Sequence, residues 1–170
     1  MIDAGPALFP DERITAAATR TIGGRTFRIG YESRSVTAGD VWLFDPATRV
    51  LAAGDLVTLP APLFDTACAP RWRAALDRLA DVDFRVLVPG HGAPMRREAF
   101  ATYRRAFDRL LDCAAGAQAK ADCVDGWMLD AGTLIPAGDA ALARSLLDYY
   151  IDTKLRADTA KADAPCVGPA

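Results

Sequence analysis

Apolar and polar residues recur at two different periods along this chain, and the change from one to the other marks its organisation. Residues 19–22 and 25–31 flank Gly23 and Gly24, and Phe27 and Ile29 alternate with Arg28 and Gly30. Paired glycines permit the positive φ angles of a tight two-residue turn, so this stretch predicts a β-hairpin. A second hairpin is predicted over residues 41–53. Val41, Trp42, Leu43 and Phe44 form one strand, Asp45 to Thr48 the turn, and Val50, Leu51, Ala52 and Ala53 the return strand. Both strands are apolar at successive positions, which predicts burial on both faces.

The period then lengthens. After a Pro-rich loop over residues 58–70, Pro70 suits the first turn of a helix, and Trp72, Leu76 and Leu79 carry the helical period through Val82. Residues 84–88 read as a short buried strand, stopped by Pro89, Gly90, His91 and Gly92. A long amphipathic helix follows, with Phe100, Tyr103, Phe107, Leu110 and Leu111 on one face and Arg96, Arg97, Arg104, Arg105 and Arg109 largely on the other. A last helix is predicted over residues 139–155, with Leu142, Leu146, Tyr149 and Tyr150 as its apolar stripe. The Ala/Pro/Gly-rich tail over residues 158–170 is expected to be disordered. The order is hairpin, hairpin, α, β, α, α, which predicts an α/β arrangement whose mixed sheet is covered by helices on one face. An apolar second face needs another layer, so an exposed sheet face, open to association, is expected.

Composition narrows the function classes. A length of 170 residues suits one domain, placed at residues 1–157. The net charge of −2 and the acidic residues interspersed among the helical arginines argue against a nucleic-acid partner. No apolar run approaches the roughly 20 residues that span a bilayer, and Met1 to Pro10 lack the pattern of a signal peptide. The cysteines Cys68, Cys113, Cys123 and Cys166 lack CxxC zinc spacing. Cys113 and Cys123 flank a short Gly/Ala/Lys-rich segment and could close a disulfide loop. Four unpaired thiols in a cytoplasmic protein carry equal weight, whereas a disulfide would imply a periplasmic or secreted setting.

Two segments carry candidate chemistry. Asp55 follows Gly54 at the end of a predicted strand, and His91, the only histidine, follows another between Gly90 and Gly92. Loop positions beyond strand ends commonly handle ligands, glycines allow close approach, and His and Asp are zinc ligands. Each signal alone reads as readily as a turn. Together, with a helix and a short strand between them, they predict two side chains converging at one edge of the sheet.

Three stretches resemble the second half of the metallo-β-lactamase fold: Thr37-Ala38-Gly39-Asp40, Ala52-Ala53-Gly54-Asp55-Leu56-Val57 and Leu87-Val88-Pro89-Gly90-His91-Gly92. Their order and spacing match over residues 19–94. The resemblance implies half of an αβ/βα sandwich and a zinc-dependent hydrolase. It places Asp55 as the metal-bridging aspartate and His91 as the last histidine of the second metal. Thr37 and Asp40 fall beside the family's third histidine, where they would orient ligands.

The departures matter as much. Val36 stands where that histidine belongs, and the family's His-x-His-x-Asp-His motif is missing, as expected if the chain begins after it. Two ligands fall short of the three that a catalytic zinc usually takes from protein. Nothing in the spacing of Cys68 recruits it as another. Two function classes follow. One is a metal-dependent hydrolase of an ester, amide, thioester or phosphoester in a small-molecule substrate, represented here by a fragment with an incomplete site. The other is a catalytically inactive half-domain acting as a structural or interaction module.

Overall fold

The computed structural model describes residues 12–157 and 164–167. Strand β1 (Ala18–Ile22) pairs antiparallel with β2 (Arg25–Ser33). Gly23 and Gly24 join them at φ values of 57° and 78°, the left-handed conformations the turn requires. Strand β3 (Gly39–Asp45) continues the antiparallel order, with Arg28 opposite Phe44 and Gly30 opposite Trp42. Strand β4 (Val50–Thr58) returns beside it, and β5 (Val86–His91) joins β4 in parallel across the intervening helix. The result is a five-stranded mixed sheet in the order β1-β2-β3-β4-β5. Both strands of the parallel pair run past their expected ends. β4 bulges at Gly54 and resumes pairing where Thr58 meets His91, so the Gly54-Asp55 step interrupts the strand without ending it.

The helices are α1 (Ala69–Ala80), α2 (Arg97–Ala115), α3 (Lys120–Asp130) and α4 (Ala140–Tyr150), the last continued by a π-type turn over Ile151–Leu155. They share one core with the sheet. Trp42, Phe44, Leu51 and Ala53 meet Trp72, Leu76, Phe100, Tyr103 and Phe107 there. An aromatic knot holds its centre, with the Phe64 ring 5.2 Å from Trp72, 5.8 Å from Phe107 and 5.9 Å from Tyr150, centre to centre. Among the described residues no helix is long and apolar enough to cross a membrane.

Two expectations are corrected, and one helix was not anticipated. β3 and β4 are buried on one face only: Trp42, Phe44, Leu51 and Ala53 are buried, whereas Val41 is 41% exposed and Ala52 is also open to solvent. Helix α3 was not among the predicted elements. Its apolar residues are not gathered on one face and Gly126 interrupts it, so its helical pattern is weak, and its order comes from packing by Cys123, Val124 and Trp127. In α4 the buried stripe is Ala143, Leu147 and Tyr150, while Leu142 and Tyr149 face solvent. Two stripes one position apart both satisfy the helical period, and the neighbouring helices chose the one bearing small Ala143.

The cysteines form two disulfides, Cys113–Cys123 and Cys68–Cys166. The first was one of two open readings; the second joins positions 98 apart in sequence and was not anticipated. The expected disordered tail lies largely outside the described residues. Within it, Ala164–Cys166 forms a 3-10 turn tied to Cys68, and Arg34 Nη1 donates to the carbonyls of Pro165 (3.3 Å) and Val167 (3.0 Å).

Candidate functional site

Parallel pairing places the C-terminal ends of β4 and β5 side by side, the end of an open α/β sheet where ligands usually bind. The β4 bulge, with Gly54 at φ 55°, turns Asp55 out of the strand, while Leu56 and Val57, which precede the resumed pairing at Thr58, are buried. His91 ends β5. Its Nε2 lies 3.6 Å from Asp55 Oδ1, and the two side chains are 60% and 51% exposed. The expected convergence is therefore present, at a spacing too long for a hydrogen bond.

Gly90 makes this approach possible. A Cβ at position 90 would lie 2.1 Å from Asp55 Oδ1 and 2.8 Å from the Gly54 carbonyl carbon. No side chain fits there without displacing the carboxylate and the β4 backbone. The glycine before His91 thus has a packing reason that the sequence only hinted at. The strand end is braced from behind. Leu59 N–H donates to His91 O (3.0 Å), and Thr58 N–H donates to the Tyr103 hydroxyl (3.3 Å). Tyr103 is fully buried, and this desolvation pushes its phenol well above the usual range, so it remains a neutral strut.

Thr37 and Asp40 lie in the loop leading into β3. The Asp40 carboxylate accepts from the backbone N–H of Val36 (2.9 Å) and Thr37 (3.1 Å) and from the Thr37 hydroxyl (2.8 Å). Their bonds are to each other and to their own loop. The loop is clamped from the other side, where Cys68 N–H donates to Ser35 O (2.9 Å) and Thr66 Oγ1 to Val36 O (2.9 Å). Val36 itself is 5% exposed and belongs to the core. Cys68 is bonded to Cys166 and so is withdrawn from any metal role. Among the described residues, no three His, Cys, Asp or Glu side chains gather as a metal ion would need. Asp55 and His91 alone do not fit the donor set of a catalytic zinc.

No protein-family model matches the chain, and no curated protein matches it in sequence. Solved structures do. A metallo-β-lactamase from Pontibacter korlensis is similar over 58% of this chain and 49% of its own, at TM-score 0.51 and 24% identity. The fold is part of the metallo-β-lactamase fold. The stereoselective inverting sec-alkylsulfatase Pisa1 from Pseudomonas sp. is similar over 81% of this chain, at TM-score 0.58 and 17% identity. The chain spans about half the length of the first (49%) and a quarter of the second (25%). Its neighbours in this metallo-β-lactamase fold thus include hydrolases with different names, and the shared architecture does not select among their substrates.

Proposed function

We propose that this chain is the Asp55- and His91-bearing part of a metal-dependent hydrolase whose remaining ligands come from outside the described residues. The observation that carries the reading is the 3.6 Å approach of Asp55 to His91 across Gly90, at paired strand ends. A carboxylate and an imidazole at this spacing can both reach one ion through bonds of about 2 Å. When such an ion is complete in its ligands, it lowers the pKa of bound water and polarises a scissile group in a small-molecule substrate. Zinc is one of the ions whose ligand chemistry suits this pair. With two donors the chain alone binds zinc weakly and turns over generic ester or β-lactam substrates little.

Titration calorimetry with Zn²⁺ tests this. Weak binding is expected, reduced on the order of tenfold or more by Asp55→Ala and by His91→Ala, the loss seen even for groups that merely orient a ligand. Val36→His adds a third donor and should tighten binding. Tight binding indifferent to both alanine variants would overturn the reading, as would robust, chelator-sensitive turnover by the unmodified chain, which would require ligands other than these.

A second reading rests on the uncovered sheet face. Ile22 (54% exposed), Val41 (41%) and Val88 (37%) are more accessible than sheet residues of a closed core. In this reading the chain is an interaction module without turnover, and the face is where another protein layer associates. Sedimentation of the purified chain separates the two. An interaction module binds no zinc yet associates through variants-sensitive contacts at Val41 and Val88.

A further inference from the structure

Arg156 surrounds one disulfide with directed contacts. Its Nε donates to Ala114 O (3.0 Å), and its Nη2 donates to Gln118 O (2.8 Å) and Cys113 O (3.2 Å). The same Nη2 lies 3.6 Å from Cys123 Sγ. The two cysteines are unequal in exposure as well. Cys123 is 1% exposed, whereas Cys113 is only half-buried. Thiol–disulfide exchange runs by attack on one sulfur and departure of the other, and it is faster when the departing thiol has the lower pKa. A guanidinium beside a sulfur favours its thiolate. Access and charge therefore agree: attack falls on Cys113, and Cys123 departs beside Arg156.

We propose that Cys113–Cys123 is a redox-active disulfide, opened by dithiol reductants at Cys113 with Arg156 holding the departing Cys123 thiolate. The reductant thiolate forms a bond to Cys113 Sγ. The Cys113–Cys123 bond breaks, and its electron pair leaves on Cys123 Sγ. The reductant's second thiol loses its proton and attacks the reductant sulfur of the mixed disulfide, expelling Cys113 as thiolate. The two cysteines gain two electrons, the dithiol is oxidised to a disulfide, and its two protons pass through solvent to the cysteines.

The bond joins the end of α2 to α3, so its opening acts on more than a loop. Trp127 of α3 donates from Nε1 to Pro60 O (3.0 Å), and the adjacent Leu59 N–H holds His91 O (3.0 Å). Opening the bond removes the covalent tie between α2 and α3, the helix that braces the segment beside His91.

Timed reduction of the full chain with dithiothreitol, quenched by alkylation and read by peptide mass spectrometry, follows both disulfides separately. Arg156→Met should slow opening of Cys113–Cys123 by about tenfold, as expected for a raised leaving-group pKa, and leave Cys68–Cys166 unchanged. Arg156→Lys should restore most of the rate. Equal rates in the unmodified chain and both variants would overturn the proposal. Should Arg156→Met unfold, the unmodified chain still decides: brief exposure to glutathione should trap the mixed disulfide on Cys113, and trapping on Cys123 would refute the assignment.

Discussion

The two faces of the sheet are built from adjacent residues of the same strands, yet they have opposite fates. Trp42 and Phe44 point into the helical layer and are buried, while Val41, directly before Trp42 in the same strand, is 41% exposed. On β5, Leu87 is fully buried and Val88 is 37% exposed. The alternation of side chains across a strand sends successive residues to opposite faces, and helices α1 to α4 share a core with only one of them. The difference teaches that apolar character at successive positions describes a strand built for two covers, whether or not both are present. The open face is also where charged groups gather at the rim, with Arg25 paired to Asp45 beside the second hairpin turn.

The largest test of this contrast is Trp72→Ala on the covered side. Trp72 is fully buried, packs on Phe64 and Phe107, and donates to Leu56 O (2.9 Å). Urea unfolding should show a loss of about 3–5 kcal/mol. A loss near zero would mean that the helical layer is not the core.

Gly90→Ala comes next. Its Cβ would meet both Asp55 and the β4 backbone, and overpacking of this kind costs about 1–3 kcal/mol. Gly138→Ala is the control, since nothing lies within 4 Å of a Cβ there. If both variants unfold alike, the close approach of β5 to Asp55 is not as described.

A smaller effect is expected from Asp45 on the rim. The Thr48 hydroxyl, then the Ala47 N–H and the Arg25 guanidinium, hold its carboxyl below the usual range against the opposing pull of desolvation. A folded pKa below the unfolded value, about 3.9, gives stability that is present above that pH. It is lost as the pH falls through the folded value. Melting temperature against pH should therefore drop in this acid window, and Asp45→Asn should flatten the drop. Superimposable acid limbs for the two proteins would rule out this source of acid sensitivity.

The smallest change is expected on the open face itself. Val88→Thr should shift unfolding by no more than about 0.5 kcal/mol, the range of ordinary surface substitutions. A cost comparable to that of Trp72→Ala would show that the face is covered in solution, and a concentration dependence of that cost would identify the cover as a second molecule.

The local pattern determined much of this protein. The Gly23 and Gly24 turn, the second hairpin around Asp45, the helix entered at Pro70 and the stripe of Phe100, Tyr103, Phe107 and Leu110 all follow from short-range rules, because turns and amphipathic periods are decided within a few residues. The approach of Asp55 to His91 was also legible, since each stands just beyond the predicted end of a strand, although their role toward a metal is not read from that geometry. Tertiary structure alone decided the rest. It paired Cys68 with Cys166 across 98 positions, ordered α3, whose own pattern is weak, and chose Ala143 over Leu142 as the inward side of α4. It also left Val41 and Val88 outside. These outcomes depend on which surfaces meet, and a residue's burial is a property of its neighbours in space as much as of its own side chain.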